Sequence, residues 1–164
     1  MWRGAKTATE RGMANAAFLR TRIEFINSFF ASGEVDEIWI TFPDPQLKKQ
    51  RVKKRLTSPQ FLGYYAKFLK PDGVVHLKTD SRHLHEYTKA VIERNALPLL
   101  ACGDDIYGTG MADTDLSIQT AYERKFREQG LPITYLRFML GGRSEFEVPD
   151  FEEDDNLDAS QLGE

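Results

Sequence analysis

The sequence predicts an α/β domain: a mostly parallel sheet with helices on both faces. Three observations carry this reading. EIWITF (residues 37–42) and VVHLKTD (residues 74–80) are continuous apolar, β-branched runs of the kind that form strands covered on both faces. Segments with apolar residues at helical spacing alternate with them, the pattern of βα units. The two runs lead into FPDP and end in KTD, which puts Asp44 and Asp80 at the carboxyl ends of strands, where open α/β sheets bind ligands.

Taken in order, residues 3–11 read as a short helix, AAFLR (16–20) as strand-like, and TRIEFINSFF (21–30) as helical, with Ile23, Ile26 and Phe30 on one side. The strand EIWITF follows. SPQFLGYYAKFLK (58–70) is an amphipathic helix with Ser58 as N-cap, Pro59 at the first helical position, and Phe61, Leu62, Tyr65, Phe68 and Leu69 on one face. KPDG is a turn into VVHLKTD. Leu84, Tyr87, Val91 and Ile92 mark the next helix, which stops before Pro98. Residues 99–101 form a short strand and residues 104–115 a polar loop. SIQTAYERKFREQG is helical and ends at Gly130, and PITYLRFML is the last strand.

The chain has 164 residues, of which 41% are hydrophobic and 12% aromatic, enough for one domain with a real core. No apolar run approaches the roughly 18 residues of a membrane span, and a cytoplasmic protein is expected. The net charge of −3 hides an asymmetry. Nine of the 25 acids lie in residues 145–164, which contain no base, so residues 1–144 carry 22 bases against 16 acids. The body can therefore present a cationic face to a polyanion, and residues 145–164 read as an acidic, disordered tail. The single cysteine, Cys102, excludes an intramolecular disulfide and reads as a buried structural thiol.

Asp44 stands between Pro43 and Pro45, which fix the backbone on either side. It is either a turn aspartate that caps its own backbone or a carboxylate held ready for chemistry. Just beyond it, six of the eight residues from 48 to 55 are basic (Lys48, Lys49, Arg51, Lys53, Lys54 and Arg55), a density that suits a phosphate backbone as well as a solvated surface. Asp80 reads as a helix N-cap or a ligand contact. Thr120 and Glu123, three apart on one helical face, read as a local polar pair or a ligand contact. His83 and His85 diverge on their helix and are not expected to bind metal, and His76 should face the packing of the sheet.

The combination of FPDP, six cations, KPDGVVHLKTD and TAYE resembles the bacterial tRNA (guanine-N(7)-)-methyltransferases, over residues 2–140. The resemblance implies a partial Rossmann-like class I methyltransferase fold, in which residues 1–144 form the C-terminal two-thirds of a methyltransferase domain. It implies transfer of a methyl group from S-adenosylmethionine to N7 of guanine at position 46 of tRNA, with tRNA as partner and no metal. Asp44 is then the catalytic residue and lies against the donor. Lys48, Asp80, Thr120 and Glu123 contact the substrate, and Gln50, Arg51, Lys53, Lys54 and Arg55 bind RNA. Thr21 approaches the donor at a position where the family often has Asp or Asn. Gln46 and Leu47 stand where the family often has Trp and Pro. The family's glycine-rich first loop and the acidic residue after its second strand have no counterpart here. The expectation is therefore a chain that begins after them, lacking on the order of 60 residues at about 30 per βα unit. That chain alone should be inactive and prone to self-associate through the edge beside EIWITF. The alternative is a noncatalytic tRNA-binding fragment or subunit without the donor-binding loop.

Overall fold

Along VVHLKT the side chains alternate between two environments. Val75 and Leu77 enter one apolar core, while His76 and Lys78 are buried on the opposite face beside polar partners. In the computed structural model, which describes residues 2–153, this run lies inside a four-stranded sheet. The elements are α1 (Trp2–Glu10), β1 (Val35–Thr41), α2 (Pro59–Tyr65), β2 (Leu69–Thr79), α3 (Arg82–Arg94), β3 (Leu99–Gly103), α4 (Ala121–Glu128) and β4 (Thr134–Met139). Two 3-10 helices, Ile23–Ser28 and Lys49–Lys54, flank β1 in sequence.

The strand order is β1-β2-β4-β3. β1 pairs parallel with β2, whereas β4 runs antiparallel to both β2 and β3. The sheet is thus mixed rather than mostly parallel by pairing, although β1, β2 and β3 all point the same way. The cause is one strand. After α4 the chain re-enters between β2 and β3 in the reverse sense, a connection that alternation of strands and helices does not reveal.

On one face, α2 and α3 pack Phe61, Leu62, Tyr65, Leu84, Tyr87 and Val91 against Ile40, Val75, Leu77, Leu136 and Phe138. Pro59 starts α2, and the Ser81 hydroxyl caps α3 by accepting from Leu84 N at 3.2 Å. On the other face a smaller cluster of Ile106, Leu116, Phe126, Ile133 and Tyr135 sits beneath the 104–120 loop and α4. Phe138 is fully buried in the larger core. Phe138→Ala is therefore expected to cost about 3–5 kcal/mol of unfolding free energy, read from urea titration.

Several sequence expectations meet a different outcome. AAFLR takes irregular backbone, having no partner strand among the described residues, and residues 21–30 form only a 3-10 turn. EIWITF is not covered on both faces. β1 is an edge strand and Ile40 is its one buried residue, leaving Trp39 39% exposed. KPDG is absorbed into β2, where the pairing with β1 slips between Val35 and Glu37. α4 begins only after Thr120 and ends at Glu128, two residues before Gly130, whose φ of 71° suits glycine. Cys102 is exposed.

Residues 145–153 also depart from a disordered tail. Phe146 and Phe151 pack against the main core, and Glu147 N donates to Asn95 Oδ1 at 2.7 Å. Two aromatic rings among the acids anchor the segment, a signal that charge counting overlooks. Asp154, Asp155, Asp158 and Glu164 lie outside the described residues.

Candidate functional site

At the end of β1, Phe42 N still donates to Lys78 O at 2.8 Å, after which the chain turns away from the sheet. Phe42 and Gln46 both take positive φ, 49° and 48°. Such backbone costs of order 1–3 kcal/mol per non-glycine residue and persists where the surroundings hold it. The holder is Arg55. Its Nε donates to Pro45 O at 3.0 Å and its terminal nitrogen to Gln46 O at 3.2 Å. Between the two strained residues Asp44 is exposed, with Oδ1 accepting from Gln46 N at 2.9 Å. The turn and the presented carboxylate are therefore not exclusive. One oxygen closes the turn, and the group as a whole faces solvent on a rigid loop.

Arg55 itself is fully buried. Besides the loop carbonyls, its guanidinium makes two 2.7 Å bonds to the Glu153 carboxylate and lies 4.3 Å from the Tyr87 ring centre. His83 Nε2 is 2.9 Å from it and 3.1 Å from Glu153. An arginine so enclosed is out of reach of phosphate, so its expected contact with RNA is replaced by a structural one. A planar fork matches carboxylate and carbonyls together, and burial follows from that fit. Burial pushes the Glu153 carboxyl up, but Arg55 and His83 outweigh it and leave it below the ordinary value.

The rest of the basic segment stays outward. Lys48, Lys49, Gln50, Arg51, Lys53 and Lys54 are all exposed on or beside the 3-10 helix, which turns Val52 toward the core. Lys49, Gln50 and Lys53 border a groove of about 610 Å³ with Gln60 and Tyr87.

At the end of β2, Ser81 rather than Asp80 caps α3, which leaves the Asp80 carboxylate for other partners. Tyr122 Oη donates to its Oδ2 at 3.4 Å, and the Tyr122 ring packs edge-on against Phe42 at 5.5 Å. Two aromatic rings thus connect the Asp44 loop with Asp80. Burial pushes the Asp80 carboxyl above its ordinary range, partly offset by the Tyr122 bond.

Thr120 and Glu123 form a capping box. Thr120 Oγ1 accepts from Glu123 N at 3.1 Å, and Glu123 Oε2 accepts from Thr120 N at 3.3 Å. Glu123 is fully buried, and its Oε1 meets Lys78 Nζ at 2.7 Å and Tyr107 Oη at 2.6 Å. Those partners occupy the carboxylate, so of the pair it is Thr120 that faces open space. It lines a cleft of about 380 Å³ with Glu37, Trp39, Thr41, Lys78, Asp115 and Ile118. Trp39 stacks on His76 at 3.9 Å, forming an exposed aromatic wall whose inner ring is fixed by a 2.7 Å hydrogen bond between His76 Nδ1 and Tyr135 Oη.

Lys78, Trp39 and Tyr122 were not singled out from the sequence. A lysine at an inward position of a strand was the available signal, because a buried ammonium needs a carboxylate partner. Thr21 lies in irregular chain, half-buried, with its hydroxyl bonded to Arg22 O at 3.3 Å. No enclosed set of polar groups surrounds it or Asp44. The groove of about 440 Å³ along the β1 edge is lined by Ile23, Ile26, Phe30, Ile38 and Phe68 among others, and Glu37 is its one charged member.

Comparison with known proteins defines the class. A family model described as "Putative methyltransferase" matches residues 3–136, and the chain belongs to that family. Among curated proteins, it is similar to enzymes named tRNA (guanine-N(7)-)-methyltransferase. It is 51% identical over 152 residues to that of Bacteroides thetaiotaomicron, covering 93% of this chain and 60% of the relative. To that of Porphyromonas gingivalis it is 53% identical over 154 residues, covering 93% and 62%. To that of Christiangramia forsetii it is 50% identical over 140 residues, covering 85% and 62%. The chain therefore spans about 60% of the length of these relatives. Among the described residues no helix is long and apolar enough to cross a membrane.

Proposed function

We propose that this chain is the tRNA-facing part of an S-adenosylmethionine-dependent methyltransferase acting on guanine N7 in tRNA. The observation that carries the reading is identity above 50% to tRNA (guanine-N(7)-)-methyltransferases over 93% of the chain. The rigid Asp44 loop beside an exposed cationic strip supports it.

The chemistry suits such a site. Guanine N7 carries its own lone pair, so methylation there requires no base to create a nucleophile. The purine gains positive charge as it reacts, and orientation and electrostatics govern the rate. A carboxylate on a braced loop accepts hydrogen bonds from guanine N1 and N2 groups and stabilises that charge, the role assigned here to Asp44. Lys48, Lys49, Arg51, Lys53 and Lys54 hold the phosphate backbone, with Gln50 beside them. Asp80 and Thr120 face the substrate, with Glu123 fixing the start of α4 behind Thr120. The methyl group comes from the bound donor. Thr21 and Asp44 are the residues of this chain assigned to its neighbourhood.

The cationic strip gives a direct test. Lys53→Ala with Lys54→Ala is expected to weaken tRNA binding and to reduce the log–log salt slope by about one unit per lost contact. Filter binding between low and physiological salt measures it. An unchanged slope would make the strip a solvated surface.

A further inference from the structure

Three side chains from separate parts of the fold converge on the edge of the sheet away from Asp44. His85, on the second turn of α3, is fully buried. Cys102 lies in β3 and Asp104 just beyond its end; both are exposed. His85 Nε2 is 3.9 Å from Cys102 Sγ and 3.2 Å from Asp104 Oδ1, and the three donor atoms all lie within 4.8 Å of one another.

Two ordinary explanations fit poorly. A nucleophilic relay needs the thiol on one ring nitrogen and the carboxylate on the other. Here both approach Nε2, while Nδ1 has no partner among the described residues. A His–Asp pair alone leaves unexplained the thiol that approaches the same ring nitrogen. What remains is three donor atoms around one point.

We propose that His85, Cys102 and Asp104 form a zinc site. Bonds of about 2.0–2.1 Å to nitrogen, 2.3 Å to sulfur and 2.0–2.2 Å to oxygen give tetrahedral edges of roughly 3.4–3.6 Å, so the donors close on an ion with shifts of about an ångström. A mixed nitrogen, sulfur and oxygen set selects zinc over magnesium or calcium. The fourth position faces solvent and takes water. Binding replaces the Cys102 S–H by S–Zn and releases one proton to solvent. The site lies at the C-terminal end of β3, two strand spacings from β2, or about 10 Å. An ion there ties α3 to the exposed edge strand, separately from the chemistry proposed at Asp44.

The test is zinc binding by the full chain, measured by competition with a chromophoric chelator and by cobalt substitution. One equivalent of zinc and a near-ultraviolet thiolate-to-cobalt absorption are expected, with a zinc-dependent rise in melting temperature. Cys102→Ser and Asp104→Asn change exposed side chains, so folding is preserved and is checked by circular dichroism. Each should weaken zinc by more than the ~10–100-fold typical of outer-shell partners, and Cys102→Ser should abolish the thiolate band. Absence of stoichiometric zinc, or unchanged affinity in both variants, would overturn the site.

Discussion

Asp44→Ala, made in a protein of the relatives' full length, is expected to lower methyl transfer by about 10²–10³-fold, the scale of losing one preorganised electrostatic contact. Affinity for tRNA should change little, because Asp44 is assigned to the guanine edge and the phosphate contacts to the exposed lysines and Arg51. The alanine also removes the bond from Gln46 N to Asp44 Oδ1. Asp44→Asn therefore accompanies it, since asparagine retains an acceptor for the turn and loses only the charge. Single-turnover rates at saturating tRNA, beside binding constants for each variant, separate the two contributions. Both variants should be slow. An Asn variant with near-normal turnover would leave Asp44 a turn residue.

Arg55→Met is expected to destabilise the fold by about 3–5 kcal/mol, the range for breaking a buried ion pair and stranding one partner. The stranded partner is Glu153, and the carbonyls of Pro45 and Gln46 lose their donor as well. Glu153→Gln should cost less, because the amide can still accept from the guanidinium. Combining Arg55→Met with Glu153→Leu should recover part of the loss. Urea unfolding of wild type, Arg55→Met, Glu153→Leu and the double variant gives the cycle, and a cost of Arg55→Met below about 1 kcal/mol would place the pair among weak surface contacts. The sign with pH follows from the lowered Glu153 carboxyl. Its contribution is present above the unfolded glutamate value of about 4.3 and is lost as pH falls through the lower folded value. The stability gap between wild type and Glu153→Leu should therefore shrink in acid.

Local pattern was sufficient to read the body of β2, α3 and β4, because each buries an apolar face. Of the helix read over residues 58–70, only Pro59–Tyr65 is helical, and Leu69 and Lys70 already belong to β2. Local pattern was insufficient wherever a long-range partner decides the outcome. AAFLR has strand composition, yet no neighbouring strand pairs with it among the described residues. EIWITF has the composition of a strand covered on both faces, yet Ile40 is the one buried residue of β1. The antiparallel placement of β4 depends on where the chain returns after α4, which no local period encodes. The turn at Asp44 was legible from its prolines. Its brace was not, since Arg55 read as one more cation in a basic run while its carboxylate partner lies 98 residues away. Glu123 likewise carried a motif, but only the fold showed that Lys78 and Tyr107 occupy it.

The decisive measurement is the identity of the methylated atom. With a protein of the relatives' full length, methyl-labelled S-adenosylmethionine and an unmodified tRNA transcript, nuclease digestion and mass spectrometry of the product nucleosides report it directly. Label in 7-methylguanosine from the variable loop, lost when that guanine is replaced by adenine, is the predicted result. Label on any other atom or nucleoside, or none in the presence of folded protein that binds tRNA, would contradict assignment of this chain to guanine N7 methylation.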